Sequence, residues 1–228
     1  MTKTLYDFQE ACGRGDVLGV ALFLQTYKED INAAHYDLGN QTLFQWASGY
    51  PYPEIISMFL ELGADMTFSP SGVQTPIHLA FELGHLINAQ VLLDAGADIN
   101  IENSQNETAV HIACEYLDMD VLEFLLNKGA KTDIQNQDMR TPLHFSCIHR
   151  DPDSIALLLH HNANPNIPDE DGNTPLHLAC MQGDVYSVME LLNGDVLLHL
   201  KNNVGKTPYD LALFRDYKDI MDLLEQKH

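Results

Sequence analysis

Apolar positions along the chain fall in short helical runs that stop and restart at a fixed interval. In the run 184–192, Val185, Val188, Met189 and Leu192 stand at i, i+3, i+4 and i+7, which lines one side of a helix. Just upstream, Leu176, Ala179 and Cys180 fall at i, i+3 and i+4, and Gly183 stands where a left-handed helix stop is expected. That upstream helix opens on Asn173-Thr174-Pro175-Leu176-His177-Leu178-Ala179. A Thr hydroxyl accepts a hydrogen bond from a free amide of the first turn, and Pro suits the first helical position, where no amide partner is needed. One unit is therefore a pair of amphipathic helices followed by a loop.

The same frame recurs from near one end of the chain to near the other. It reads Gln41-Thr42-Leu43-Phe44-Gln45-Trp46-Ala47, Gln74-Thr75-Pro76-Ile77-His78-Leu79-Ala80, Glu107-Thr108-Ala109-Val110-His111-Ile112-Ala113, Arg140-Thr141-Pro142-Leu143-His144-Phe145-Ser146 and Lys206-Thr207-Pro208-Tyr209-Asp210-Leu211-Ala212. Each of the threonines 42, 75, 108, 141, 174 and 207 follows the last by 33 residues. A fixed period of that length marks a stacked-repeat architecture, in which each unit buries its apolar side on its neighbours. With the paired leucines and small turn at 92–100 and 125–130 and the loop tip Asp169-Glu170-Asp171-Gly172-Asn173, these boxes resemble the ankyrin repeat family over nearly the whole chain. The resemblance implies an all-α fold, an ankyrin-repeat α-solenoid of helix-turn-helix units with short β-hairpin-like loops. It also implies a single domain over 1–228 with repeats at 1–36, 37–69, 70–102, 103–135, 136–168, 169–201 and 202–228, the first and last being caps.

Departures from the frame change what is expected locally. Residues 5–26 read as a weaker first helix pair in which Tyr6 stands at the Thr position and the Thr and Pro are missing. Ala11 and Ala47 lie 36 residues apart, more than one period, which puts an insertion at 25–30. In the second repeat Gln45 replaces His, Trp46 takes a Leu position, and Gly49-Tyr50-Pro51-Tyr52-Pro53 replaces the Gly turn. Tyr50 and Tyr52 then read either as exposed aromatic anchors of an interface or as local repacking beside the cap. Trp46, at a position that is core in the other copies, favours repacking, with Pro53 starting the next helix. Leu117 and Arg150 occupy turn positions where Gly84 and Gly183 sit in their copies, so these turns carry side chains. The run 193–200 reads as a short strand or as apolar filler against the last repeat. The final helix has Ile220, Leu223 and Leu224 inward and Asp219, Asp222, Glu225 and Gln226 outward.

Composition narrows the function classes. The chain has 33 acidic against 12 basic residues, a net charge of −21. Such a surface argues against binding phosphate backbones or anionic membranes and for solvation or a basic partner. The chain opens on no signal-peptide pattern and has no apolar run long enough to cross a bilayer. The expectation is a soluble chain in the reducing cytoplasm, with the nucleus or delivery into a host cell as alternatives.

Register also decides the tempting side chains. Cys114, Cys147 and Cys180 are 33 apart, Cys12 joins them through the cap, and Phe81 takes the position in the third repeat. Neighbouring helices pack about 8–10 Å apart and a disulfide needs Cα atoms within roughly 7 Å, so buried free thiols are expected. His78, His111, His144 and His177 each stand three residues after their Thr, where ring and hydroxyl can hydrogen-bond across the first turn. A zinc site at His144, Cys147 and His149, with His160 and His161 nearby, competes with this reading. Two of those ligands already belong to the repeat, and no fourth is fixed by spacing. No nucleophile elbow, Gly-rich phosphate loop or metal motif is present, so neither an enzyme nor a cofactor is expected.

What the resemblance implies instead is protein binding, through loop tips and exposed inner-helix ends that line a concave surface. On this chain those positions are Tyr36, Leu38, Gln41 and Tyr50, then Ser71, Gln74, Glu82 and Leu83. The fourth repeat contributes Glu102, Ser104, Gln105, Glu107, Glu115 and Tyr116, and the fifth Gln135, Gln137, Asp138, Arg140, Ile148 and His149. The sixth contributes Glu170, Asp171, Asn173, Met181 and Gln182. The expected molecule is a monomeric adaptor or stoichiometric inhibitor of a protein with a basic surface, as the IκB-like ankyrin proteins are. A microbial effector or a structural subunit holding a host or complex protein is the alternative.

Overall fold

The computed structural model describes residues 4–68 and 74–227. The chain divides into two compact units, residues 1–104 and 105–228.

The first unit holds α1 (Leu5–Arg14), α2 (Val17–Thr26), α3 (Leu43–Ser48), α4 (Pro53–Glu61), α5 (Pro76–Glu82) and α6 (Leu86–Asp94). Ahead of α3, β1 (Ala34–His35) pairs antiparallel with β2 (Gln41–Thr42) around a 3-10 turn at Tyr36–Leu38. Its core is aromatic. Phe8 lies 5.0 Å from Phe23, and Phe44 stacks on Phe59 at 5.3 Å between ring centroids.

The second unit holds α7 (Ala109–Tyr116), α8 (Met119–Asn127), α9 (Pro142–Ile148), α10 (Pro152–His160), α11 (Pro175–Gln182), α12 (Val185–Leu192), α13 (Pro208–Phe214) and α14 (Lys218–Gln226). The first helices of the pairs pack in the order α7, α9, α11, α13, and the second helices in the order α8, α10, α12, α14. Leu122, Leu125, Leu143, Ile155, Leu158 and Leu176 are fully buried between these two layers. Each such side chain stabilises the fold by about 1.5–3 kcal/mol relative to an exposed one. The architecture is the all-α helix-pair array that the period predicts.

Chemistry at the helix ends explains the boundaries. Thr42, Thr75, Thr108, Thr141, Thr174 and Thr207 are the N-caps of α3, α5, α7, α9, α11 and α13. Helix α1 corrects the sequence reading: its cap is not missing but is Thr4, which forms a capping box with Asp7. The helix therefore starts ahead of Tyr6, which is 68% exposed. Gly183 ends α11 with φ 72°, and a Cβ there would lie 2.6 Å from Cζ of Tyr217. Glycine is needed for the backbone and for the ring that covers it. Gly15 and Tyr52 repeat the device at the end of α1. Leu117 and Arg150 take the same left-handed turn at φ 57° and 56° with side chains attached.

One further expectation is corrected, and two open alternatives are decided in favour of packing. In α12 the buried positions are Ser187, Val188, Leu191 and Leu192, while Met189 is 46% exposed, so the inward side is rotated from the predicted one. Ser187 is small and its hydroxyl bonds to Asp184, which lets that side approach its neighbours. Residues 193–200 form no strand; Val196, Leu198 and Leu200 are half-buried along an irregular loop. Trp46 is half-buried and faces Tyr50, with ring centroids 6.3 Å apart.

Candidate functional site

The recurring geometry of the boxes is a set of neutral struts. Thr108 donates its backbone N–H to Nδ1 of His111 at 3.1 Å, and Nε2 of that ring lies 3.1 Å from the carbonyl of Arg140. Thr141 and His144 repeat this at 3.0 Å, with 3.1 Å onward to the Asn173 carbonyl. Thr174 and His177 repeat it at 3.1 Å, with 3.1 Å onward to the Lys206 carbonyl. An Nδ1 that accepts an amide proton leaves the ring hydrogen on Nε2, so each neutral imidazole donates to the residue just ahead of the next cap. Burial pushes the pKa of His111 and His144 down to about 4 and lowers that of His177. In the first unit Gln45 does the same work with an amide: Oε1 accepts from Thr42 N–H at 2.8 Å and Nε2 donates to the Gln74 carbonyl at 2.7 Å.

The struts hold the loops, and the loops hold one another. Gln137 N–H donates to the Gln105 carbonyl at 3.0 Å, Glu170 N–H to Asp138 at 3.1 Å, and Asn203 N–H to Asp171 at 2.9 Å. Successive loop tips of the second unit thus stand in one backbone-bonded row. The ends of α7, α9 and α11 are linked in turn: Glu115 accepts from Nε2 of His149 at 2.9 Å, and Arg150 donates to Gln182 at 3.0 Å.

The predicted surface residues separate into those that present a side chain and those that are tied down. In the second unit Gln105, Glu115, Tyr116, Glu170, Asp171 and Met181 are exposed. Glu107, Asp138, Arg140, Ile148, His149 and Gln182 are half-buried, and Arg140 Nη1 lies 3.3 Å from the Asp138 carboxylate. Asn173 is buried, contrary to expectation, because its carbonyl receives His144 and its side chain receives Asn202 at 2.9 Å. Gln135 spends its amide on the carbonyls of Met139 and Pro168.

In the first unit Tyr36 is 93% exposed on the 3-10 turn, and Leu83 is 48% exposed at the end of α5. Leu38 is a correction: it folds under that turn and is 1% exposed. Gln74 donates to Glu82 at 2.7 Å, joining loop base to helix end. Tyr50 is half-buried beside Trp46, and its carbonyl accepts from Asn88 at 2.6 Å. Tyr50 and Tyr52 serve packing around Gly13 and Gly15. Ser71 lies outside the described residues.

The thiols and the zinc reading resolve in the same terms. Cys12, Cys114, Cys147 and Cys180 are free and buried. Burial pushes Cys12, Cys114 and Cys180 up to about 12 and Cys147 well above its ordinary value. Both nitrogens of His144 are engaged by its own repeat and the next, and Nε2 of His149 by Glu115, so these rings are committed elsewhere. Among the described residues no cluster of His, Cys, Asp and Glu is arranged to hold a metal ion. No helix among them is long and apolar enough to cross a membrane.

The sequence reading stops at the sixth repeat and misses two exposed side chains of the seventh. Phe214 is 83% and Val204 76% exposed. The period alone would have found them, since Phe214 lies 33 residues after Met181 and Val204 33 after Asp171.

Comparison with known proteins agrees with this geometry. The structure is similar to the crystal structure of the ankyrin repeat domain of Bcl-3, described as a unique member of the IkappaB protein family. The two share 27% sequence identity with a TM-score of 0.83, over 96% of this chain and 97% of that one. No curated protein sequence matches the chain. The family model for ankyrin repeats in three copies matches residues 77–169 and 152–228, most of the chain. With its recurring Thr caps and imidazole struts, the chain belongs to the ankyrin repeat family, a family of protein-interaction scaffolds.

Proposed function

We propose that the chain is a non-enzymatic binding module, an adaptor or stoichiometric inhibitor, that acts as a monomer. It takes a protein partner with a basic surface on the loop tips and inner-helix ends. The observation that carries this reading is the bonded row of loop tips in the second unit. It holds Glu170 and Asp171 outward on a fixed backbone, and the same unit exposes Tyr116 and Met181 at the ends of α7 and α11. A preordered surface binds without a large ordering cost, and Tyr is enriched among residues that dominate interface energy. The chain carries 33 acidic side chains against 12 Lys and Arg, a net charge of −21. That field steers a basic protein inward and repels nucleic acid and anionic lipid. Similarity to the ankyrin domain of Bcl-3, an IkappaB family member, supports the adaptor or inhibitor class.

The test is capture from the source cell with the wild-type chain and with the double variant Glu170→Lys, Asp171→Lys, each at low and moderate salt. A protein with a basic surface, held by the wild type and lost with the variant at low salt, supports the proposal. Equal capture by both forms overturns the acidic-face reading.

A further inference from the structure

The two rows of the second unit are graded in the same direction. Its helix ends run Glu115, Ile148, Met181, Phe214, and its loop tips run Gln105, Asp138, Asp171, Val204, each 33 residues beyond the last. Both rows begin polar or acidic and end apolar. Phe214 and Val204 are the two most exposed large apolar side chains among the described residues of this unit, at 83% and 76%. Exposed Lys206 and Arg215 stand near them in sequence, together with Asp210 and exposed Asp216, so the charge turns from acidic to mixed where the apolar side chains appear. Successive tips are joined by backbone hydrogen bonds as far as Asn203, and the helix ends from α7 to α11 by the Glu115–His149 and Arg150–Gln182 contacts. The Gln74–Glu82 hydrogen bond of the first unit brings together the residue before a Thr cap and the last residue of the helix it opens. Lys206 and Phe214 hold the same two positions in their repeat, the residue before the Thr207 cap and the last residue of α13, and the same geometry there would set the two rows on one side.

A surface that changes character along its length selects a partner that changes in the opposite sense. Resting on the protein-binding reading above, we infer that this side of the second unit takes one polarised segment of a partner protein. Its basic residues lie over Asp138, Glu170 and Asp171. An aromatic or aliphatic side chain packs on Phe214 and Val204, followed by a carboxylate that meets Lys206 and Arg215. Packed helices spaced about 8–10 Å apart make the four positions of a row span roughly 30 Å. That length matches about nine extended residues or about twenty helical ones. A second copy of this chain is a poor occupant, because its net charge of −21 would be set against the same charge.

Two fluorescent peptides of equal composition test the inference on the full chain. One groups its Lys and Arg at one end and its Phe, Leu and Glu at the other; the second intersperses the same residues. The blocked peptide is expected to bind about tenfold tighter, and Phe214→Asp to erase that difference, as for loss of an aromatic anchor. A photoreactive group at its basic end should label residues around Asp138, and one at its apolar end residues around Phe214. Unchanged circular dichroism of Phe214→Asp shows the loss to be local. Equal affinity for both peptides, or no binding of either, overturns the polarised site. Cell capture with the Glu170 and Asp171 variant judges the broader protein-binding reading separately.

Discussion

Acid should loosen the second unit through its histidine struts, and replacing those rings by glutamine should remove the effect. His111 and His144 have pKa values lowered from 6.5 to about 4 by burial. Their Nδ1 atoms already accept amide protons, so a second ring proton would set N–H against N–H. Between these two pKa values the unfolded chain binds a proton that the folded chain refuses. Stability is therefore full above the unfolded value and is lost as pH falls from about 6.5 toward about 4. By proton linkage each ring costs about 2 kcal/mol at pH ~5, approaching about 3 kcal/mol at lower pH. Glutamine at these positions should keep both hydrogen bonds, as Gln45 does with Thr42 and Gln74, and cannot titrate. The double variant His111→Gln, His144→Gln should match the wild type near neutral pH in urea melts followed by circular dichroism. Near pH ~5 it should be more stable by about 4 kcal/mol, twice the single-ring linkage term. Titrating surface carboxylates act equally on both proteins, so the difference between them carries the test. An identical pH dependence of the two would refute the strut argument.

Other substitutions probe packing and backbone. Leu176→Ala, at a fully buried site, should cost about 2–5 kcal/mol in the same melts, while exposed Glu170→Gln should stay within about 0.5 kcal/mol. Equal costs would show the register to be wrong. Leu117→Gly relieves a non-glycine residue at φ 57° that is 49% exposed, and should raise stability by up to about 1 kcal/mol. Loss of stability there would mean that Leu117 packs more than its exposure implies. A thiol reagent should leave Cys12, Cys114, Cys147 and Cys180 unmodified in the folded chain and label them in denaturant, since burial both shields them and opposes thiolate formation. Rapid labelling without denaturant would contradict their placement.

The period made the helix starts, the buried thiols and the histidine positions legible, because a single box argued once applies to every copy. The onward bond of each histidine was not legible. Its acceptor lies 29 residues ahead, as from His111 to Arg140, and meets the ring only after the helices stack. Alignment to the frame hid the true cap of α1, although Thr4 and Asp7 have the spacing of a capping box. Counting only apolar residues misplaced the inward side of α12, where Ser187 is buried by virtue of its size and its bond to Asp184. Leu38 read as an interface residue because hairpin tips usually face water; the 3-10 turn folds it inward. Of the candidate surface, position was readable from the frame, but pairing was not. Glu115 with His149 joins residues 34 apart, and Gln74 with Glu82 spans the length of α5.

The most direct measurement of the central claim is the binding kinetics of the captured partner with Tyr116→Ala at two salt concentrations. Tyr116 is 58% exposed at the end of α7, so its truncation should leave the melting temperature unchanged. If this surface is the site, the dissociation rate should rise about tenfold, the association rate should hold, and the effect should persist as salt is raised. Unaltered dissociation, with the partner still bound, would contradict docking on the inner-helix ends.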